Sequence, residues 1–118
     1  VFVERGNRAS SEVAVKQLTQ TLLNGRRVLV FPEGSRSTDG QLQPFKKGAF
    51  HLAKAANAPV VPMHIAGTWE RLGPGQWLIA PARQSIRVRV GAPIKQKDNG
   101  ELSELLDQST KSLMQLIN

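Results

Sequence analysis

The stretch Val28-Leu29-Val30-Phe31-Pro32-Glu33-Gly34-Ser35-Arg36-Ser37 decides the reading of this chain. Its first four residues form an apolar run too short for a helix, which reads as a buried strand. Pro32-Glu33-Gly34 then turns the chain. The turn delivers a carboxylate, two hydroxyls and a guanidinium to one end of that strand. Loops at strand ends are where α/β folds place ligand chemistry.

Working outward, Val1-Phe2-Val3 is β-like. Ser10-Ser11-Glu12 offers a helix start, with hydroxyl caps and a first-turn acid. Val15, Leu18 and Leu22 keep a helical spacing until Asn24-Gly25 ends it. Residues 32–47 form a polar loop rich in turn formers, including Asp39-Gly40 and Pro44. From Gly48, Phe50, Leu52, Ala53, Ala55 and Ala56 predict a short helix, stopped by Asn57 and Pro59.

Pro59 to Ile65 reads as a strand whose two prolines suit a strand start and a bulge or edge. Trp77-Leu78-Ile79 predicts a short strand. Ile86-Arg87-Val88-Arg89-Val90 alternates strictly, so it predicts a half-buried strand with both arginines on one face. Leu102, Leu105, Leu106, Leu113, Leu116 and Ile117 share a helical stripe, which predicts an amphipathic closing helix packed on the sheet. The order of elements implies an α/β domain with a mixed β-sheet flanked by helices.

The chain's 118 residues suit one domain with a modest core. An apolar content of 40% argues against disorder. Cysteine is absent, which excludes disulfides and thiolate metal sites and fits a reducing compartment. The first residue is Val1, in what reads as a strand already in progress, so the chain is expected to begin inside a domain. No apolar run approaches the ~18 residues of a membrane span.

The net charge of +7 is unevenly spread. Residues 1–97 hold 15 Lys/Arg against 5 Asp/Glu, whereas residues 98–118 hold one lysine against four acids. A basic body favours anionic partners: phosphate esters, anionic lipid surfaces, acidic carrier proteins or nucleic acid. Aromatics are only 5% and tyrosine is absent, with no recognition helix or RNP-like strand, so nucleic acid is not expected.

Several chemistries drop out. No G-x-x-x-x-G-K-[ST] is present, so no P-loop. Ser35 lacks the G-x-S-x-G elbow of an α/β-hydrolase nucleophile. His51 and His64 lie 13 positions apart and match no zinc spacing. What remains is a set of anion-binding groups at strand ends. Arg5 follows the first strand, Glu33, Gly34, Ser35 and Arg36 follow the second, and Lys46 and Lys47 precede the helix at Gly48. A helix N-terminus flanked by Lys and Arg makes a good phosphate site. The plainer alternative is that Glu33 pairs with Arg36 and Ser35 caps a turn.

These blocks resemble the glycerolipid acyltransferase superfamily, in particular its lysophosphatidic acid (1-acyl-glycerol-3-phosphate) acyltransferases. Phe2-Val3-Glu4-Arg5 is similar to the family's apolar strand ending in arginine. Residues 31–37 match F-P-E-G-[ST]-R-S in full, and Phe45-Lys46-Lys47-Gly48 resembles the segment that follows. Val60-Val61-Pro62-Met63 resembles the proline-containing strand. The resemblance spans nearly the whole chain, and the block at 31–37 is its most specific part.

It implies a glycerol-3-phosphate acyltransferase-like fold. It also implies transfer of an acyl group from acyl-CoA or acyl carrier protein to the free hydroxyl of a lysophospholipid at a membrane surface, on the cytoplasmic face. No metal or cofactor is implied. Glu33, Gly34 and Ser35 would help hold the acceptor, Arg5 and Arg36 would neutralise its phosphate with Lys46 or Lys47 assisting, and Pro62 would shape the acyl or thioester pocket. The family's base is the histidine of a His-x-x-x-x-Asp block, which this sequence lacks: His51 is followed five residues on by Ala56, and His64 by Trp69. That block is expected upstream of Val1. Residues 1–118 are then the C-terminal part of an acyltransferase domain, inactive alone. Another lysolipid or glycerol-3-phosphate is the alternative acceptor. Trp69 and Trp77, flanking Gly73-Pro74-Gly75, suit either a lipid interface or core packing.

Overall fold

Asn24-Gly25 ends the first helix because Gly25 takes a left-handed turn, with φ +74°. The Arg26 amide then donates to the Thr21 carbonyl and the Gly25 amide to Leu22, which satisfies carbonyls that a helix end leaves open. The computed structural model describes residues 8–35, 37–68, 85–97 and 100–117. In it, α1 spans Arg8–Leu23, α2 Gly48–Ala55, β1 Met63–Ala66, β2 Arg87–Val90 and α3 Leu102–Ile117. The helix expected at Ser10 starts two residues earlier, at Arg8.

Helix α2 stops by the same device as α1. Asn57 sits at φ 46°, the Ala58 amide donates to the Ala53 carbonyl and the Asn57 amide to Lys54. Asn supplies the left-handed residue because it tolerates that conformation better than other side chains. The side-chain amide of Gln96 bonds both the Lys54 carbonyl and Asn57 Oδ1, tying this helix end to the segment after β2.

The two strands pair antiparallel, with Met63 opposite Val90, His64 opposite Arg89, Ile65 opposite Val88 and Ala66 opposite Arg87. Val60 pairs with Ile94 beyond them. That pairing is one residue out of step with the Met63–Val90 register, so the second strand carries an extra residue at Gly91–Pro93. The bulge or edge expected from Pro59 and Pro62 in the first strand is met instead as an extra residue on the second, across from Pro62, whose carbonyl accepts the Gly91 amide.

A core forms where α2, α3 and the ends of the hairpin meet. Phe50, Ala53 and Leu105 are buried together, and Phe45, Ala49, Val60, Ile94, Leu102 and Leu106 pack around them. Burying a side chain such as Phe50 contributes roughly 2–3 kcal/mol. Helix α1 packs on α2, and α3 packs on both α2 and β1. The closing helix buries Leu105 and Leu113 of its predicted stripe and also Ser109, whereas Ile117 of the stripe is exposed; the Ser109 hydroxyl returns to the Leu105 carbonyl at 2.7 Å.

Two strand expectations need correction. Val28–Phe31 joins no ladder among the described residues, and its side chains are not buried: Leu29 is 68% and Phe31 69% exposed. The β2 strand is exposed along its whole length instead of half-buried. The reason is the same for both. A strand is buried only by neighbours on either side and layers above and below, and the described residues supply α3 to one side of a two-stranded sheet. The expected strands at Val1–Val3 and Trp77–Ile79, and both tryptophans, lie outside the described residues.

Candidate functional site

The Phe31-Pro32-Glu33-Gly34 segment is a β-turn closed by the Gly34 amide on the Phe31 carbonyl at 3.1 Å. Proline at the second position and glycine at the fourth are the residues such a turn selects. Gly34 has φ +73°, which a residue with a Cβ adopts only under strain. The turn lifts Glu33 and Ser35 onto the same loop end.

The loop then returns to where it began. The Glu33 carboxylate accepts the Gln43 amide at 2.8 Å, and the Pro32 carbonyl accepts the Lys46 amide at 2.8 Å. These two rungs close residues 34–45 into a loop with a fixed base. Inside it, Asp39 Oδ1 gathers the Ser37 hydroxyl at 2.8 Å, the Gln41 amide at 3.0 Å and, more weakly, the Gln43 side-chain amide at 3.4 Å. The Gln41 amide, and then the Ser37 hydroxyl, hold the Asp39 carboxyl below its ordinary value by stabilising the charged form.

Phe45 anchors the far end. Its ring stacks on Phe50 of the core, centroids 6.2 Å apart and 22° between planes. Lys46 follows immediately, and its side chain lies over Gly34: a Cβ on that glycine would sit 2.7 Å from Lys46 Nζ and 3.0 Å from Cδ. Lys47 occupies the N-cap of α2 without a side-chain cap bond. The absence of a Cβ at Gly34 leaves room for the flexible Lys46 ammonium to lie over the turn, next to a helix start that favours anions.

Glu33, Gly34, Ser35 and Lys46 are thus brought together. Pro62 belongs to another neighbourhood. It is buried, its carbonyl accepts the Gly91 amide at 2.9 Å, and a Cβ at Gly91 would meet its ring at 3.0 Å, Ser112 Oγ at 3.3 Å and Leu116 Cδ1 at 3.4 Å. Arg5 and Arg36 lie outside the described residues. Reading the sequence alone missed the part played by Asp39 and Gln43. Asp39-Gly40 signalled a turn, but nothing in the spacing announced that one carboxylate would gather three donors. His51 is exposed on α2 and His64 sits in β1, and no cluster of metal-ligating side chains occurs among the described residues.

Comparisons with known proteins bear on the family and the α/β fold. The acyltransferase family model matches residues 1–66, and the chain belongs to that family. The chain is 30% identical over 97% of its length to the 1-acyl-sn-glycerol-3-phosphate acyltransferase alpha of Ovis aries, and 36% identical over 83% of its length to the 1-acyl-sn-glycerol-3-phosphate acyltransferase of Limnanthes douglasii. It spans 40% and 34% of those two relatives. Among solved structures, the 1-acyl-sn-glycerophosphate (LPA) acyltransferase PlsC of Thermotoga maritima superposes with a TM-score of 0.79 at 28% identity, over 87% of this chain and 44% of that one.

Proposed function

We propose that residues 1–118 are the C-terminal part of an acyltransferase domain that moves an acyl group from acyl-CoA or acyl carrier protein to the free hydroxyl of 1-acyl-glycerol-3-phosphate, giving phosphatidic acid. The observation that carries this reading is Lys46 lying across Gly34 in the turn of the F-P-E-G-S-R-S block. The relatives' names supply the reaction. The basic groups of the chain suit a phosphomonoester: Arg5 and Arg36 neutralise it with Lys46 or Lys47 assisting, Ser35 offers a hydroxyl, and Glu33 and Gly34 help position the acceptor. Pro62, buried under α3, shapes the acyl side of the site.

The chemistry needs a base to take the acceptor's hydroxyl proton as the oxygen attacks the thioester carbonyl. This sequence has no His-x-x-x-x-Asp, and the reading assigns that role to residues preceding Val1. Work on a lipid substrate places the protein at a membrane surface, on the cytoplasmic face. No helix among the described residues is long and apolar enough to cross a membrane. The surface contact is assigned to the basic body or to residues preceding Val1.

The test is an acyl-transfer assay on the intact protein with lysophosphatidic acid and a thioester donor. Phosphatidic acid is the expected product, and glycerol-3-phosphate or a phosphate-free lysolipid is expected to be a poorer acceptor. No transfer to lysophosphatidic acid, or a preference for either alternative, overturns the assignment.

A further inference from the structure

Glu33 is the one acid in the 31–37 block, and its contact is internal: Oε2 accepts the backbone amide of Gln43, ten residues on, in a part-buried setting. The bond stands next to the Lys46 amide on the Pro32 carbonyl. Together they set the register in which the outgoing and returning arms of the loop meet. That register decides where Lys46 falls, and Lys46 falls across Gly34. We infer that Glu33 is a positioning residue: it holds the returning arm so that the Lys46 ammonium sits over the Gly34 turn, and it acts on the acceptor through Lys46.

The inference rests on residues 31–47 being the acceptor site, and it deepens that reading by giving Glu33 a mechanical part. A carboxylate suits this role because a hydrogen bond to a charged acceptor is about twice as strong as a neutral one. It also suits the chemistry of the acceptor. A carboxylate set directly against a phosphomonoester would repel it, whereas one bonded to a backbone amide carries its charge on a donor and leaves the lysine to meet the anion.

Three measurements test this on the intact protein. Hydrogen exchange reads the strut without reference to activity: the Gln43 amide is protected in the wild type and exchanges about tenfold or more faster in Glu33→Ala, the scale of losing a charge-assisted bond. Equal exchange in both overturns the inference even if the enzyme assay succeeds. Next, Glu33→Gln keeps an oxygen that reaches Gln43, whereas Glu33→Asp keeps the charge but is a methylene short. Glu33→Gln is expected to retain more transfer to lysophosphatidic acid than Glu33→Asp, and the reverse order assigns a direct role to the charge. Finally, in a double-mutant cycle the Glu33→Ala loss disappears when Lys46 is already alanine. Full multiplication of the two losses overturns the route through Lys46. If the intact protein does not acylate lysophosphatidic acid, the acceptor-site reading fails, and the exchange result still decides whether the strut exists.

Discussion

Lys46 lies across Gly34, with Nζ 2.7 Å from where a Cβ on the glycine would stand. The two residues are twelve apart in sequence, and the loop between them is closed at its base by the Glu33–Gln43 and Pro32–Lys46 bonds. Gly34→Ala therefore does two things. It places a Cβ at φ +73°, at a cost of about 1–2 kcal/mol, and it moves the lysine aside. The expected outcome is a melting temperature lower by a few degrees together with a KM for lysophosphatidic acid raised about tenfold, read by calorimetry and steady-state kinetics.

Lys46→Met keeps the stem and removes the charge. Lys46 is exposed, so stability is expected to stay within about 0.5 kcal/mol. The KM for the acceptor is expected to rise several-fold, and by less as salt is added, because an exposed ammonium is screened. A KM titration at low and high ionic strength checks both.

Gly91→Ala acts far from that turn. Its Cβ would press on the Pro62 ring at 3.0 Å, with Ser112 and Leu116 close behind. A proline ring cannot swing away as a lysine can, so overpacking of about 1–3 kcal/mol is expected. Denaturant unfolding measures it, and an unchanged midpoint would contradict the packing.

Arg89 donates to the Leu116 carbonyl at 2.6 Å and to Ile117 at 3.3 Å, at the end of α3 where carbonyls lack partners and the helix dipole favours a cation. Arg89→Ala is expected to lower stability by about 0.5–1 kcal/mol. Faster amide exchange confined to the last turn of α3 is the signature to look for.

Asp39 sets a pH limit on the loop. Its carboxyl is held below the ordinary value, so the ionised form is favoured in the fold. The contribution is present above the unfolded value of about 3.9 and fades as pH falls through the lower folded value. Loop order, followed by exchange of the Gln41 amide, is expected to be constant from neutral pH to about 4 and to weaken only below it. Asp39→Asn should speed that exchange at neutral pH.

Helix positions were legible because their signals are local. Apolar spacing within α1, α2 and α3 and the left-handed stops at Gly25 and Asn57 are written in neighbouring residues. The Pro32-Glu33-Gly34 turn was legible for the same reason. The roles of Asp39, Gln43 and Glu33 were not, because one carboxylate reaching an amide ten residues away leaves no periodic trace. Burial of Val28–Phe31 was misread, since an apolar run states what a strand tolerates and not whether neighbours cover it.

The sequence by itself determined the family, the helices and hairpin strands, and which residue types gather at residues 31–47, since each follows from short-range pattern and side-chain chemistry. Only the tertiary structure decided that Phe45 stacks on Phe50 and Lys46 crosses Gly34 while Pro62 packs elsewhere. Those relationships depend on how a twelve-residue loop closes on itself and where its end meets the core, which no single stretch of residues encodes.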